Sequence, residues 1–113
     1  MHFDKYQKEA RKTAIYPGAQ SGSYAALSYA VLGLTNEAGE VAGEVKKAYR
    51  DDMGVIFEER RAAIAKEMGD VAWYLAAIAS ELNISLESIF AANLDKLQDR
   101  KNRGVLGGSG NDR

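Results

Sequence analysis

The chain of 113 residues has no cysteine, one histidine and one proline. Without cysteine it can form no disulfide, hold no thiolate-ligated metal and offer no cysteine nucleophile. The one histidine, His2, lies in the first few residues, where chains fray. A Ser-His-Asp triad or a histidine-rich zinc site is therefore not expected, and any metal must be held by oxygen. Long apolar runs are also missing. Charges or glycines interrupt each apolar stretch well before the roughly 18 residues that a membrane span needs. The chain shows no basic-then-apolar leader pattern, so the expected location is cytoplasmic, with no membrane partner. Charge of one sign is not in excess, with 15 Lys+Arg against 16 Asp+Glu. That balance argues against an acidic disordered tail and against a basic nucleic-acid coat, so no nucleic-acid polymer is expected as partner.

What is present is a hydrophobic fraction of 46% in a length suited to one domain with a single core. The lone Pro17 and the plentiful alanine and leucine favour helix over a turn-rich β fold. Phe3, Tyr6, Ala10, Thr13 and Ala14 recur at helical steps, and Pro17-Gly18 ends that run, which predicts a helix from Phe3 to Ile15. Ser21 or Ser23 is placed to cap a second helix from Ser23 to Tyr49, striped by Leu27, Val31, Leu34, Ala38, Val41 and Val45. Ile64, Met68, Val71, Leu75, Ile78 and Leu82 predict a third from Glu58 to Leu82. Ser85 reads as the cap of a fourth, ending near Asn102, with Glu87 favourably placed at its positive end. Residues 1–103 are thus expected to form one all-α domain, an antiparallel bundle of about four helices. The long helices show a second sticky side, so another copy of the chain is expected to complete the bundle. Residues 104–113 read as a glycine-rich tail, flexible or closing over the site.

The chemistry concentrates in Glu37-x-x-Glu40 on the second helix and Glu67-x-x-Asp70 on the third. Carboxylates three residues apart lie on neighbouring positions of one helix face, so each pair forms a small claw. Their neighbours Leu34, Ala38, Val41, Met68 and Val71 place the claws at the edge of the buried stripe. Unit charges about 4 Å apart repel by about 4 kcal/mol at an effective dielectric of about 20, so converging claws need cations. An all-oxygen, carboxylate-rich set suits Mg²⁺, with Mn²⁺ as substitute, the metal being shared with substrate phosphates. The alternative is a solvated acidic face paired with Lys46, Lys47, Lys66 and Arg60. Gly39 and Gly69, each preceding the second acid of its claw, are helix-weakening residues, and close approach of the two backbones there would explain them.

Glu37-x-x-Glu40, then 26 intervening residues, then Glu67-x-x-Asp70 resembles the hallmark of the all-α, MazG-like nucleoside triphosphate pyrophosphohydrolases. The likeness runs through Gly33 to Val41, Lys66 to Tyr74 and Asn93 to Arg100, and the opening Tyr6-Gln7 and Thr13-Ala14 fit it too. The resemblance implies hydrolysis of a nucleoside triphosphate, ribo- or deoxy-, to monophosphate and pyrophosphate, Mg²⁺-dependent, in a homodimer or dimer of dimers. It makes Glu37, Glu40, Glu67 and Asp70 both metal ligands and catalytic residues. A house-cleaning role on the nucleotide pool follows from the same likeness. The alternatives are a phosphoribosyl-ATP pyrophosphohydrolase-like activity, or a non-catalytic helical dimer serving as an interaction or regulatory module.

Asn93, Lys96, Arg100 and Arg103 recur at helical steps and would grip phosphate oxygens, provided the fourth helix packs near the claws. Tyr74, one turn after Asp70, faces the site, whereas Trp73 is expected to point elsewhere. Gln7 and Arg11 are candidates to read a base edge, and Asn111 or Arg113 could donate to the triphosphate if the tail closes. Glu44, one turn beyond Glu40, could support the metal shell or pair with Lys47. The near-zero net charge resolves into opposed parts: residues 34–70 hold nine acids against six bases, and residues 96–103 hold four bases against one acid.

Overall fold

Serine caps set the start of two helices. Ser23 and Ser85 are both extended, and each side-chain oxygen accepts from the N–H three residues on, at 3.2 Å from Ala26 and 3.2 Å from Ser88. The computed structural model describes all 113 residues and contains four helices and no strand: α1 (Phe3–Arg11), α2 (Tyr24–Asp51), α3 (Glu58–Glu81) and α4 (Leu86–Asn102). The all-α reading therefore holds. No single helix is long and apolar enough to cross a membrane.

Helix α1 stops at Arg11, one turn short of the expected Ile15. The Thr13 hydroxyl donates to the Ala10 carbonyl at 2.7 Å, and the Thr13 and Ala14 amides bond three residues back, which tightens and closes the last turn. Ala14 and Tyr16 then enter the core as loop residues. Gly18 and Gly22, at φ +72° and +68°, turn the chain toward α2 in a conformation that favours glycine.

The long helices α2 and α3 pack along each other as a hairpin. At their connector, Arg60 donates to Glu44 at 2.9 Å and Asp52 at 3.5 Å, and Lys47 adds a contact to Glu44 at 3.5 Å. Glu44 is thus engaged with Arg60 and Lys47 and stands outside the group formed by Glu37, Glu67 and Asp70. These contacts hold its carboxyl below the usual carboxylate range, the Arg60 bond contributing most.

At the other end, Gln7 fixes the α3–α4 turn. Its amide nitrogen donates to Ser80 Oγ (3.1 Å) and the Ile84 carbonyl (2.9 Å), and its oxygen accepts from the Leu86 amide at 2.7 Å. With Phe3 edge-on to Phe90 at 4.8 Å, this sends α4 off at 103° to α3. Within one chain the expected four-helix antiparallel bundle is not closed: α4 packs on α1 and the end of α3, and no Cα of α2 comes within 8 Å of α4.

The core is small and alanine-rich. One cluster joins Ala14, Tyr16, Ala26, Ala30 and Ala77; the other joins Ala76, Ala79 and Leu86. Only 11 of 113 residues are buried, and no large apolar side chain is wholly enclosed. Val31, Val45, Met68 and Leu75 remain exposed along the hairpin.

Candidate active site

Facing turns of α2 and α3 bring Glu37, Glu67 and Asp70 together, with carboxylate oxygens within 4.8 Å of one another. Glu37 and Glu67 are half-buried and Asp70 is exposed. Glu40, the fourth expected ligand, is exposed and stands outside this group. None of the four acids forms an ion pair, although Glu9, Glu44, Asp51, Asp52, Glu58, Glu81 and Asp99 all do. The paired, solvated acidic face is therefore absent. Burial, then the charges of Asp70, Glu67 and Glu40, push the Glu37 carboxyl above its ordinary range. Oxygen ligands on opposite sides of a Mg²⁺ ion lie about 4 Å apart, so three converging carboxylates of this span fit one hard cation with small rotamer changes.

A recess of about 330 Å³ opens beside the acids, lined by Thr13, Glu37, Asp70, Trp73 and Tyr74. Tyr74 reaches it as expected. Trp73 also lines it, contrary to the helical-wheel reading, because Thr13 in the α1–α2 loop accepts the indole N–H at 2.8 Å and holds the ring there. The Trp73 and Tyr74 rings meet edge to face at 5.0 Å.

The glycine that meets the opposite helix is Gly33, nearly two turns before Gly39. A Cβ on Gly33 would lie 2.1 Å from Tyr74 Cε1, so Gly33 is the seat of the Tyr74 ring. Gly39 and Gly69 face nothing within 4 Å in the chain.

The substrate residues expected elsewhere are placed differently. Gln7 spends its amide on the α3–α4 turn. Arg11 lies 3.5 Å from the buried carboxylate of Glu81. Asn93, Lys96 and Arg100 lie on α4 and Arg103 follows as its C-cap, but that helix does not approach the claws of its own chain. Asp70 lies 11 residues before the end of α3 and Lys96 lies 10 residues into α4. At about 1.5 Å per residue along helices bent by 103°, the two are roughly 20 Å apart. Asn93 and Lys96 are exposed, whereas Arg100 is buried by the C-terminal segment.

Glu81 was not apparent as a special residue in the sequence. Its side chain is fully buried at the end of α3 and accepts from Tyr16 Oη, the Gln20 amide (2.8 Å) and the Gly22 amide (2.9 Å). Burial alone would raise its pKa; these bonds and the Arg11 charge outweigh burial and hold it below the ordinary value. Burial and the Glu81 contact push Tyr16 up to about 12. This hub seats the loop that carries Thr13 and so positions Trp73.

Comparison with known proteins matches residues 27–105 to the MazG nucleotide pyrophosphohydrolase domain, a span that contains both claws and α4. The Gene 37 protein of Mycobacterium phage L5 is 51% identical over 114 aligned residues, which cover the whole of both chains. No solved structure matches. Two-claw helices, an acid cluster beside an aromatic recess and a family match spanning most of the chain lead to one conclusion: this chain belongs to the MazG nucleotide pyrophosphohydrolase family.

Proposed function

We propose that the protein hydrolyses (deoxy)nucleoside triphosphates to nucleoside monophosphate and pyrophosphate, with Mg²⁺ held by Glu37, Glu67 and Asp70. The observation that carries this reading is the convergence of those three unpaired carboxylates within 4.8 Å, beside the Trp73–Tyr74 recess. When bound, a divalent cation neutralises triphosphate charge and supplies an activated water. The chain contributes placement. Glu37 and Glu67 project from adjacent turns of a packed helix pair, so their carboxylates are preorganised rather than gathered from solvent. Glu40, one turn from Glu37 and exposed, would be the residue to hold a second cation if the substrate brings one. Trp73 and Tyr74 offer apolar walls where the nucleoside end of the substrate would lie, with the Thr13 hydroxyl at the edge.

In the same reading a second copy completes the site. Ala38, Val41, Met68, Val71, Ala72 and Leu75 line an apolar groove of about 350 Å³ on the open side of the hairpin, next to the claws. Covering it would give the chain the core it lacks, as a homodimer or dimer of dimers. The Lys96–Arg103 stripe, roughly 20 Å from its own acids, would then grip phosphates held by the partner's claws. The nucleotide pool on which such an enzyme would act places it in the cytoplasm. The test is metal dependence. Triphosphate turnover should require Mg²⁺ or Mn²⁺, stop with EDTA and return with excess metal; turnover indifferent to EDTA contradicts the site.

A further inference from the structure

The stripe of cations on α4 is already engaged, by the chain itself. Arg100 Nη2 donates to the main-chain oxygens of Asn111 (2.6 Å) and Gly110 (3.4 Å). Arg103 Nη2 donates to the main-chain oxygen of Arg113 at 2.7 Å, and Lys96 Nζ lies 3.4 Å from Asn111 Oδ1. Arg113 folds the segment onto itself, since its guanidinium donates to the main-chain oxygens of Gly107 (3.0 Å), Leu106 (3.2 Å) and Gly110. Gly104, Gly108 and Gly110 lie at φ between +73° and +90°, which lets the backbone turn its carbonyls toward the helix. The effect on exposure is local. Every residue from Ala91 to Asp99 is exposed, while Arg100 is only 4% exposed.

This cover is an imperfect substitute for an anion. The oxygens that Gly110 and Asn111 present to Arg100 and Lys96 are neutral, whereas a phosphate would offer the same donors full opposite charge and bidentate geometry. Arg100 Nε is buried without a partner, so the carbonyls leave one of the guanidinium donors unsatisfied. A phosphate group, with several charged oxygens, would satisfy it. The segment is also glycine-rich and loses much backbone freedom when ordered, which keeps the cover releasable. The family match ends at residue 105, just as this segment begins.

We infer that residues 105–113 are an internal competitor, a strap that occupies the oligophosphate-binding stripe of α4 and must leave before a triphosphate is gripped. The inference rests on reading that stripe as the phosphate subsite. It differs in sign from a lid: a lid residue strengthens phosphate binding, whereas a strap residue weakens it.

The test is the affinity of the whole chain for inorganic tripolyphosphate at fixed ionic strength, without divalent metal, measured by calorimetry for the wild type and for Arg113→Ala. Removing the Arg113 guanidinium loosens the strap while leaving Lys96, Arg100 and Arg103 in place. A strap predicts binding about fivefold or more tighter in Arg113→Ala, and hydrogen exchange at residues 105–113 that accelerates when wild-type protein is saturated with tripolyphosphate. Equal or weaker binding by Arg113→Ala, exchange that slows, or no binding by either chain overturns the strap. Triphosphate hydrolysis with unchanged Arg113→Ala affinity rejects the strap and spares the reaction. Tightened binding without hydrolysis rejects the reaction and spares the strap.

Discussion

Replacing Gly33 by alanine should destabilise this protein, although the same change in an exposed helix interior ordinarily stabilises by about 1 kcal/mol. The new methyl would lie 2.1, 2.4 and 2.5 Å from three carbons of the Tyr74 ring, against an optimal carbon–carbon separation of about 3.5–4.0 Å. The ring must therefore move by more than about 1 Å. Its way out is obstructed, because Tyr74 packs edge to face on Trp73 at 5.0 Å and both rings lean on the Ala14–Tyr16 cluster. Overpacking of this kind costs about 1–3 kcal/mol, and loss of the aromatic pair about another 0.5–1.5. After subtracting the gain in helix propensity, the net loss is about 0.5–3.5 kcal/mol, or roughly 2–14 °C in Tm for a domain of this size. Gly39→Ala is the control, since nothing lies within 4 Å of its Cβ in the chain. Thermal melts followed at 222 nm compare the two, and the fluorescence of Trp73, the only tryptophan, reports the ring contact directly. Gly33→Ala melting at or above Gly39→Ala, with unshifted emission, would refute the Gly33–Tyr74 packing.

Three further outcomes are expected. Glu67→Gln and Asp70→Asn should each lower kcat for triphosphate hydrolysis by on the order of 10² or more while keeping the helical far-ultraviolet spectrum; turnover within threefold of wild type would remove the carboxylates from catalysis. Glu81→Ala should cost about 3–5 kcal/mol, because it strands Tyr16, two loop amides and Arg11 around a void. Because the Glu81 pKa is held below its ordinary 4.5, its contribution is fully present above that value and is lost as pH falls through the lowered one. Urea midpoints should therefore drop on the acid side in wild type and more shallowly in Glu81→Gln; identical acid limbs would contradict the hub. Met68→Asp, in the apolar groove, should convert the proposed homo-oligomer to single chains by light scattering, and an unchanged mass would contradict an interface at this groove.

The helices were legible because their signals are local: a serine cap at position 23 or 85, a helical stripe, one proline outside them. The claws were legible because a spacing of three puts two acids on one helix face wherever the helix goes. What the sequence hid depends on contacts across the chain. The early end of α1 comes from a threonine hydroxyl bonding its own helix, and the placement of Trp73 comes from that same threonine 60 residues away. Glu81 reads as one more helical acid until its partners, 59 to 65 residues distant, surround it. The direction of α4 follows from a Gln7 clamp that no periodicity encodes, so the basic stripe was legible as a stripe but not as one remote from its own claws. Glycines spaced alike in the text differ in function, since only Gly33 meets a ring.

In the proposed reaction the acid cluster serves release of pyrophosphate from a nucleoside triphosphate. Phosphorus NMR of a deoxynucleoside triphosphate incubated with the protein and Mg²⁺ tests it most directly. Pyrophosphate and nucleoside monophosphate should appear together in equal amounts, and over the same interval neither should appear with Asp70→Asn. Accumulation of nucleoside diphosphate with orthophosphate, or an unchanged triphosphate spectrum across the standard and modified bases, would contradict it.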